Sequence, residues 1–350
     1  MNRVEMKQQY LIMLLNYLQE EVYVWADIFF DEPLISFKPG EKGVVIETLV
    51  DKPTYERYRR YSNAQNEVPS YYDFIDSFFL SGILELDDWD SFLEEVKKAQ
   101  EADYIYGGSP ITYFALDSSL HYKRFYTLAF ESISNWPGSP IPVNKFGFVW
   151  VEGVRAELVR TPRKLRRDVV ENLMSSTVDD DAKWSWLNNY NLVTRKRLLA
   201  LADFSKGYSK YPRRLDSGRG DEEFIEALKG FISPSRRVVV LAEDKDFQIY
   251  TAGHPGLKSV RLYADKRKFR NRLEAPIECL TQLLFVMSVL YGKLSLRNDG
   301  EEITVAGLWG RQDARVFLSE RVLVGYQGNN KPRYWDEFRR DLRILEELEK

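Results

Sequence analysis

The chain has 350 residues, 44% apolar and 29% charged, with a formal net charge of −3. These are ordinary globular proportions, with room for one large core or two to three smaller ones. A single cysteine, Cys279, excludes an internal disulfide and any cysteine-rich zinc centre, and two histidines, His121 and His254, argue against imidazole metal chemistry. A metal site here has to rest on oxygen ligands, the coordination of magnesium, calcium or manganese. Charge is unevenly spread: residues 1–100 carry 10 Lys+Arg against 19 Asp+Glu, a balance of −9, leaving 40 against 34, or +6, for residues 101–350. An acidic arm on a basic body points to a polyanionic ligand for the body and a protein partner for the arm.

The first stretch, EMKQQYLIMLLNYLQEEV (5–22), has apolar residues at helical spacing and predicts a helix. Its polar interruptions and the lack of a small-residue cleavage site argue against a secretory signal. GVVIETLV (43–50) predicts a strand, and YYDFIDSFFLSGIL (71–84) and DDWDSFLEEVKKAQEA (87–102) predict helices, the second with acids at its amino end, where the helix dipole favours them. ITYFAL predicts a strand ending at Asp117, followed by the helical LHYKRFYTLAFESIS (120–134). FGFVWV (146–151) reads as one strand, and EGVRAELVRTPRKLRRDVVENLM (152–174) as helical. A further helix is expected over 179–208, capped by Asp179–Asp181, with Trp184, Trp186 and Tyr190 read as core.

The turn DSGRG (216–220) precedes an acid-opened helix, DEEFIEALKGFI (221–232). Next come the strand VVVLA (238–242) and a second strand, SVRLYA (259–264). Strands alternating with helices imply a parallel sheet covered on both faces. After the basic run DKRKFRNR (265–272) an apolar helix extends through Leu290, and its run Leu283–Tyr291 is far short of the ~20 residues that span a bilayer. No membrane partner is expected, and the cytoplasm is the default location. KLSLRNDGEEITVAGLW (293–309) predicts a hairpin on its Asp-Gly turn, ARVFLSERVLVGY (314–326) a strand, and YWDEFRRDLRILEELEK (334–350) a closing helix.

Ligands of an open parallel sheet bind beyond the carboxyl ends of its strands. Asp117 follows one such strand and Asp244 another, Glu157 lies early in the helix after FGFVWV, and Asp221 opens the helix feeding VVVLA. If the strands carrying Asp117 and Asp244 are adjacent, the two acids face each other. Clustered carboxylates repel, so a divalent cation is their natural counter-charge. Asp246 and Ser118 stand as auxiliary positions, Asp246 chiefly as a loop carboxylate. His121 is read as a surface or packing residue, and Cys279 as a core thiol.

These residues resemble a known family. YFALDSSLHYKRF looks like the opening of a PIN domain, VEGVRAELVR is similar to its second motif, GRGDEEFIEAL to its third and VVVLAEDKDF to its fourth, in order from Ile111 to Ala264. The resemblance implies a PIN-like α/β/α sandwich with a central parallel sheet. It also implies a metal-dependent ribonuclease in which Asp117, Glu157, Asp221 and Asp244 hold Mg2+ or Mn2+. Two departures stand out: Ala242 occupies a position where the family places Ser or Thr, and the second and third motifs are about 60 residues apart.

The expected organisation is an acidic α+β N-terminal region (1–103), a PIN-like nuclease domain (104–265) and a C-terminal helix and β-hairpin extension (266–350). RNA is expected as substrate in preference to DNA. The alternatives are a structure-specific DNA nuclease and an inactive nucleic-acid-binding scaffold. Arg155, Arg160, Arg163, Lys164, Arg166 and Arg167 are expected on one helix that tracks a phosphate backbone or simply faces solvent. RKR (195–197) and DKRKFRNR invite the same pair of readings.

Overall fold

The computed structural model describes residues 3–18, 20–27, 29–41, 43–61, 65–102, 108–131, 145–166, 168–169, 190–308, 318–326 and 330–349. By its contacts the chain forms two compact units, one of Met1–Ile83, Pro162–Lys196 and Lys268–Lys350, the other of Leu84–Thr161 and Arg197–Arg267. Both are mixtures of helix and strand. The second unit holds a parallel sheet of four strands, and the first an antiparallel sheet of eight.

The first unit opens with β1 (Arg3–Lys7), α1 (Leu11–Tyr17), β2 (Val22–Trp25), β3 (Ile35–Gly40), β4 (Gly43–Thr48), α2 (Lys52–Tyr61) and α3 (Tyr71–Leu80). The second contains α4 (Trp89–Glu101), β5 (Ile111–Leu116), α5 (Ser118–Tyr122), β6 (Gly147–Phe148), β7 (Trp150–Val151) and α6 (Glu152–Leu158). It continues with the residues of α7 (Leu192–Lys210) from Arg197 onward, β8 (Arg214–Leu215), α8 (Asp221–Phe231), β9 (Arg236–Ala242), α9 (Asp246–Thr251) and β10 (Leu257–Arg261). The chain then returns to the first unit as β11 (Arg272–Ala275), α10 (Ile277–Tyr291), β12 (Lys293–Asn298), β13 (Glu301–Ala306), β14 (Arg321–Gly325) and α11 (Trp335–Leu348).

In the first unit the strand order is β1-β14-β13-β12-β2-β3-β4-β11, with antiparallel neighbours throughout. Segments treated separately in the sequence, 1–103 and 266–350, thus share one sheet, with Met6 opposite Val322 and Val24 opposite Leu296. Pairing with β14 also makes Arg3–Lys7 a strand, where the apolar periodicity predicts helix from residue 5. Helix α10 is apolar on all sides and buried from Cys279 to Tyr291, packing on α1, α3, β4 and β12, as an all-round apolar helix must. The predicted hairpin forms, with Asp299 at φ 38° and Gly300 at φ 83°, the two left-handed residues of a type I′ turn.

Arg195 is fully buried, and its guanidinium donates to the backbone oxygens of Glu67 and Leu290. Burial pulls its pKa down to about 10. Lys196 pairs with Asp73 at 2.5 Å. Arg195 and Lys196 are therefore held by internal partners. In the other basic run, Arg267 pairs with Asp265 at 2.8 Å, and Arg272 with Glu47 at 3.2 Å.

The parallel sheet of the second unit has the order β10-β9-β5-β6. From β5 the chain goes to β6 on one side and later returns to β9 on the other, so the strand order reverses between β5 and β9. β5 and β9 are buried along nearly their whole lengths, as strands covered on both faces must be. FGFVWV is not one strand: Gly147–Phe148 pairs with β5, while Trp150–Val151 pairs with β8. Phe92 on α4 packs edge-on to Phe114 and Phe125, and Trp89 to Phe125. These contacts place α4 in this unit, on the far side of the expected boundary at residue 103.

The basic helix expected from residue 152 stops at Leu158. Val159 leaves the helical region at φ −85°, ψ 78°. Pro162 then removes a backbone donor and disfavours helix for Thr161. Arg160, Arg163, Lys164 and Arg166 consequently do not share a helix face with Arg155. Arg163, Lys164 and Arg166 lie in the first unit, and Arg167, Trp184 and Trp186 fall outside the described residues.

Next to α5, the side chains of His121 and Asp203 are both fully buried, with Nδ1 and Oδ2 2.8 Å apart. Asp203 also accepts from the N–H groups of Tyr126 at 3.3 Å and Thr127 at 2.6 Å. One buried carboxylate thereby serves three donors. Asp203→Ala is expected to cost about 3 kcal/mol, measured as a lowered midpoint of urea unfolding. Asp203→Asn keeps an acceptor oxygen and should lose less.

Candidate functional site

The carboxyl ends of β5 and β9 emerge side by side. Leu116 is in register with Leu241, and the next residue, Asp117, donates its N–H to Leu241 O at 2.9 Å. The adjacency expected for the strands carrying Asp117 and Asp244 is thus present. This edge is where the strand order reverses, the place where open sheets form their ligand crevice.

Asp117 is only 9% exposed and serves as the N-cap of α5. Its Oδ2 accepts from Ser119 N–H at 3.0 Å and from Ser119 Oγ–H at 2.5 Å. The same hydroxyl accepts from Glu243 N–H at 3.1 Å, so Ser119 ties the Asp117 carboxylate to the chain leaving β9. Ser118 is, with Asp246, one of the two auxiliary positions expected from the sequence. Ser118 has no side-chain hydrogen bond among the described residues, and Ser119 does this work. The capping rule could have identified it, because an N-cap side chain reaches the second or third N–H beyond itself.

Glu157 arrives on α6, whose Gly153 is required by contact. A Cβ there would lie 2.1 Å from Gly218 O, so the helix and the 216–220 turn meet backbone to backbone. Gly220 follows at φ 100° as the N-cap of α8, which places Asp221 in the first helical turn. Asp117, Glu157 and Asp221 line one small cavity together with Gly153, Val154, Gly218, Gly220 and Phe224. Its volume is about 10 Å³, at the lower limit of what admits a single water molecule.

Asp244 is exposed and does not line the cavity; its Oδ1 accepts from Asp246 N–H at 3.0 Å. It is still close enough to act on Asp221. Burial first, then the charges of Asp117, Asp244, Glu157 and Asp246, push the Asp221 pKa upward. These influences outweigh the helix amino end, which favours an ionised acid. The five acids selected from sequence therefore share one electrostatic neighbourhood, with three of them on the cavity wall.

The donors are all carboxylate oxygens, the set a hard divalent cation prefers. Among the described residues, no group of three or more His, Cys, Asp or Glu side chains stands in an arrangement that could hold a metal ion. Asp117 Oδ2 accepts from Ser119 and Asp244 Oδ1 from Asp246, so one oxygen of each carboxylate is held by a local hydrogen bond. The donor chemistry fits a metal, and the side chains would have to turn to reach one.

Outside the cavity lining, Arg155 on α6 is exposed and pairs with Glu152 at 3.3 Å, and Lys123 lies 3.8 Å from Glu243. Among the described residues, no helix is long and apolar enough to cross a membrane. Comparison with family models, with curated proteins and with solved structures finds no match for this chain.

The burial of Asp221 and the repulsion around it have a sign that stability can report. A carboxyl whose folded pKa is raised binds more protons folded than unfolded, so stability falls as pH rises from the ordinary value, 3.8, through the raised one. Asp221→Asn should therefore raise the Tm at neutral pH, in EDTA, by about a degree or two. The gain should vanish in acid below the ordinary Asp range. Thermal melts at both pH values check this.

Proposed function

We propose that this chain is a metal-dependent nuclease with a PIN-like second unit that hydrolyses RNA phosphodiester bonds. One observation carries the reading: Asp117, Glu157 and Asp221 converge on one cavity at the reversal point of a parallel sheet, with Asp244 near enough to perturb Asp221. In this reading those four residues hold Mg2+ or Mn2+. A divalent ion bound among carboxylates supplies their counter-charge, activates water and stabilises a leaving oxygen.

The chain's own residues set the stage for that chemistry. Ser119 holds Asp117 at the end of β5 and ties it to the exit of β9, in place of a hydroxyl at Ala242. Gly153 and Gly218 let the turn before Asp221 close on the helix that carries Glu157. Asp244 is exposed and able to turn from Asp246 toward the cavity.

A scaffold that binds nucleic acid without cutting it is the second reading, favoured by Ala242, which stands where the family places a hydroxyl. The test is cleavage of a labelled single-stranded RNA in Mn2+, beside an EDTA control and a branched DNA. Asp117→Asn and Asp244→Asn should each lower the rate by about 10²-fold or more, the scale on which one positioned electrostatic group acts. Preference for the branched DNA would move the assignment to a DNA nuclease. No cleavage of either, with no carboxylate-dependent rise in Tm on adding Mn2+, would leave the scaffold.

A further inference from the structure

The basic run that suggested a phosphate-tracking helix does not form one, yet a compact cationic ridge is built beside α6 from residues the sequence kept far apart. Tyr208 on α7 stacks on the buried Phe204, with ring centroids 4.9 Å apart and planes 29° apart. Phe204 in turn meets Trp150 edge-on at 5.3 Å. Arg214 lies over the Tyr208 ring as well, its guanidinium carbon 4.2 Å from the centroid. Arg155 approaches the same ring at 5.7 Å. Tyr208 Oη donates to Glu152 Oε1 at 2.6 Å, and Glu152 Oε2 accepts from Arg155, so one acid steadies both the ring and one guanidinium.

Arg214 sits on β8, paired with Trp150. It is exposed and has no ion-pair partner among the described residues. A guanidinium held over a ring is positioned without an acid partner, and its planar fork of N–H groups can grip a phosphate with two parallel hydrogen bonds. Arg155, Arg214 and Glu152 together leave one net positive charge, and the pre-stacked ring lowers the entropy lost when a ligand is held. With Phe204 stacked on Tyr208 and Arg214 over it, the ring is not free for a base. What remains is contact with a backbone.

We propose that Arg155, Tyr208 and Arg214 form a backbone-phosphate subsite for single-stranded nucleic acid. The choice of this polymer rests on the nuclease reading. Arg155 and Glu157 lie two positions apart on α6, and residues two apart do not share a helix face. The ridge and the acid cavity thus occupy opposite flanks of one helix, about 10 Å across. A strand gripped at Arg214 lies over α6 with a neighbouring phosphodiester at the carboxylates. Readout is of phosphates, so the subsite is indifferent to sequence.

Arg213 provides the internal control. Successive strand residues point to opposite sides, and Arg213 lies 5.0 Å over Tyr113 rather than over Tyr208. The measurement is fluorescence anisotropy of labelled oligouridine and oligoadenosine in EDTA, where no cut occurs, across a salt series. Arg214→Ala and Arg155→Ala should each weaken both oligomers equally, several-fold. Each should also reduce the slope of log affinity against log salt by about 0.7, the value for one phosphate contact on a single strand. Arg213→Ala should change the slope far less.

Unchanged affinity and slope in Arg214→Ala, or an equal loss in Arg213→Ala, overturns the subsite. Cleavage in Mn2+ by the unaltered protein would still uphold the nuclease reading in that case. Binding that follows the predicted pattern without any cleavage upholds the subsite and removes the nuclease. Absence of binding by the unaltered protein overturns the subsite outright. Melting temperatures of the variants confirm that these exposed substitutions leave the fold intact.

Discussion

The parallel pairing of β5 with β9 is the constraint on which the candidate site depends. These strands lie more than a hundred residues apart in sequence, yet their backbones run in register to Leu116 and Leu241. Parallel pairing obliges both chains to leave the sheet at the same edge. It therefore delivers Asp117 and the Glu243–Asp246 turn to one place. Each acid is ordinary by itself, and their assembly follows from strand order. The hydrogen bond from Asp117 N–H to Leu241 O and the Ser119 bridge to Glu243 continue the pairing one step past the last strand residues.

That edge brings an electrostatic cost, and the local structure limits it in several ways. Asp117 is screened by two hydrogen bonds from Ser119, Asp244 by one from the backbone, and Asp221 by the amino end of α8. The upward push on the Asp221 pKa shows that the compensation is incomplete. Sites that retain such strain are the ones where function is sought first, because a fold selected for stability alone would replace one of the acids. A cation or a protonated substrate group would relieve the repulsion. The neighbouring ridge at Arg214 carries the complementary charge without entering the cavity. Positive charge beside the acids, rather than among them, leaves the carboxylates available as ligands.

Buried polar groups elsewhere are treated differently. Asp203 is held by His121 and two backbone donors, and Arg195 donates through both terminal nitrogens to two backbone carbonyls with Glu67 nearby. In the first unit the hydroxyls of Tyr55 and Tyr291 meet at 2.7 Å inside an aromatic cluster. Each of these charged or polar groups closes on internal partners and serves the core. The contrast with the acids at the β5–β9 edge, which face one another, separates the structural charges of this protein from its candidate chemistry.

Local pattern determined much of this protein. The helices at 71–80, 89–101, 221–231, 277–291 and 335–348, the strands after 111 and 236, and the Asp-Gly hairpin were legible, because periodicity, caps and turn residues act over a few neighbours. The positions of Asp117, Asp221, Asp244 and Asp246 at strand ends and helix starts were legible too, since these can be read locally, whereas Glu157 falls next to the last residue of a helix shorter than expected. Long-range pairing decided the rest. Residues 3–7 became a strand through β14, and the two ends of the chain joined in one antiparallel sheet. FGFVWV split between two sheets, and the basic run after Leu158 lost its helix to Pro162. Ser119 rather than Ser118, and Arg214 beside Tyr208, acquired their partners only when distant segments met. The reason is physical: hydrogen-bond pairing between strands and the close approach of glycine backbones depend on which surfaces the whole chain brings together, and no short window of sequence contains that information.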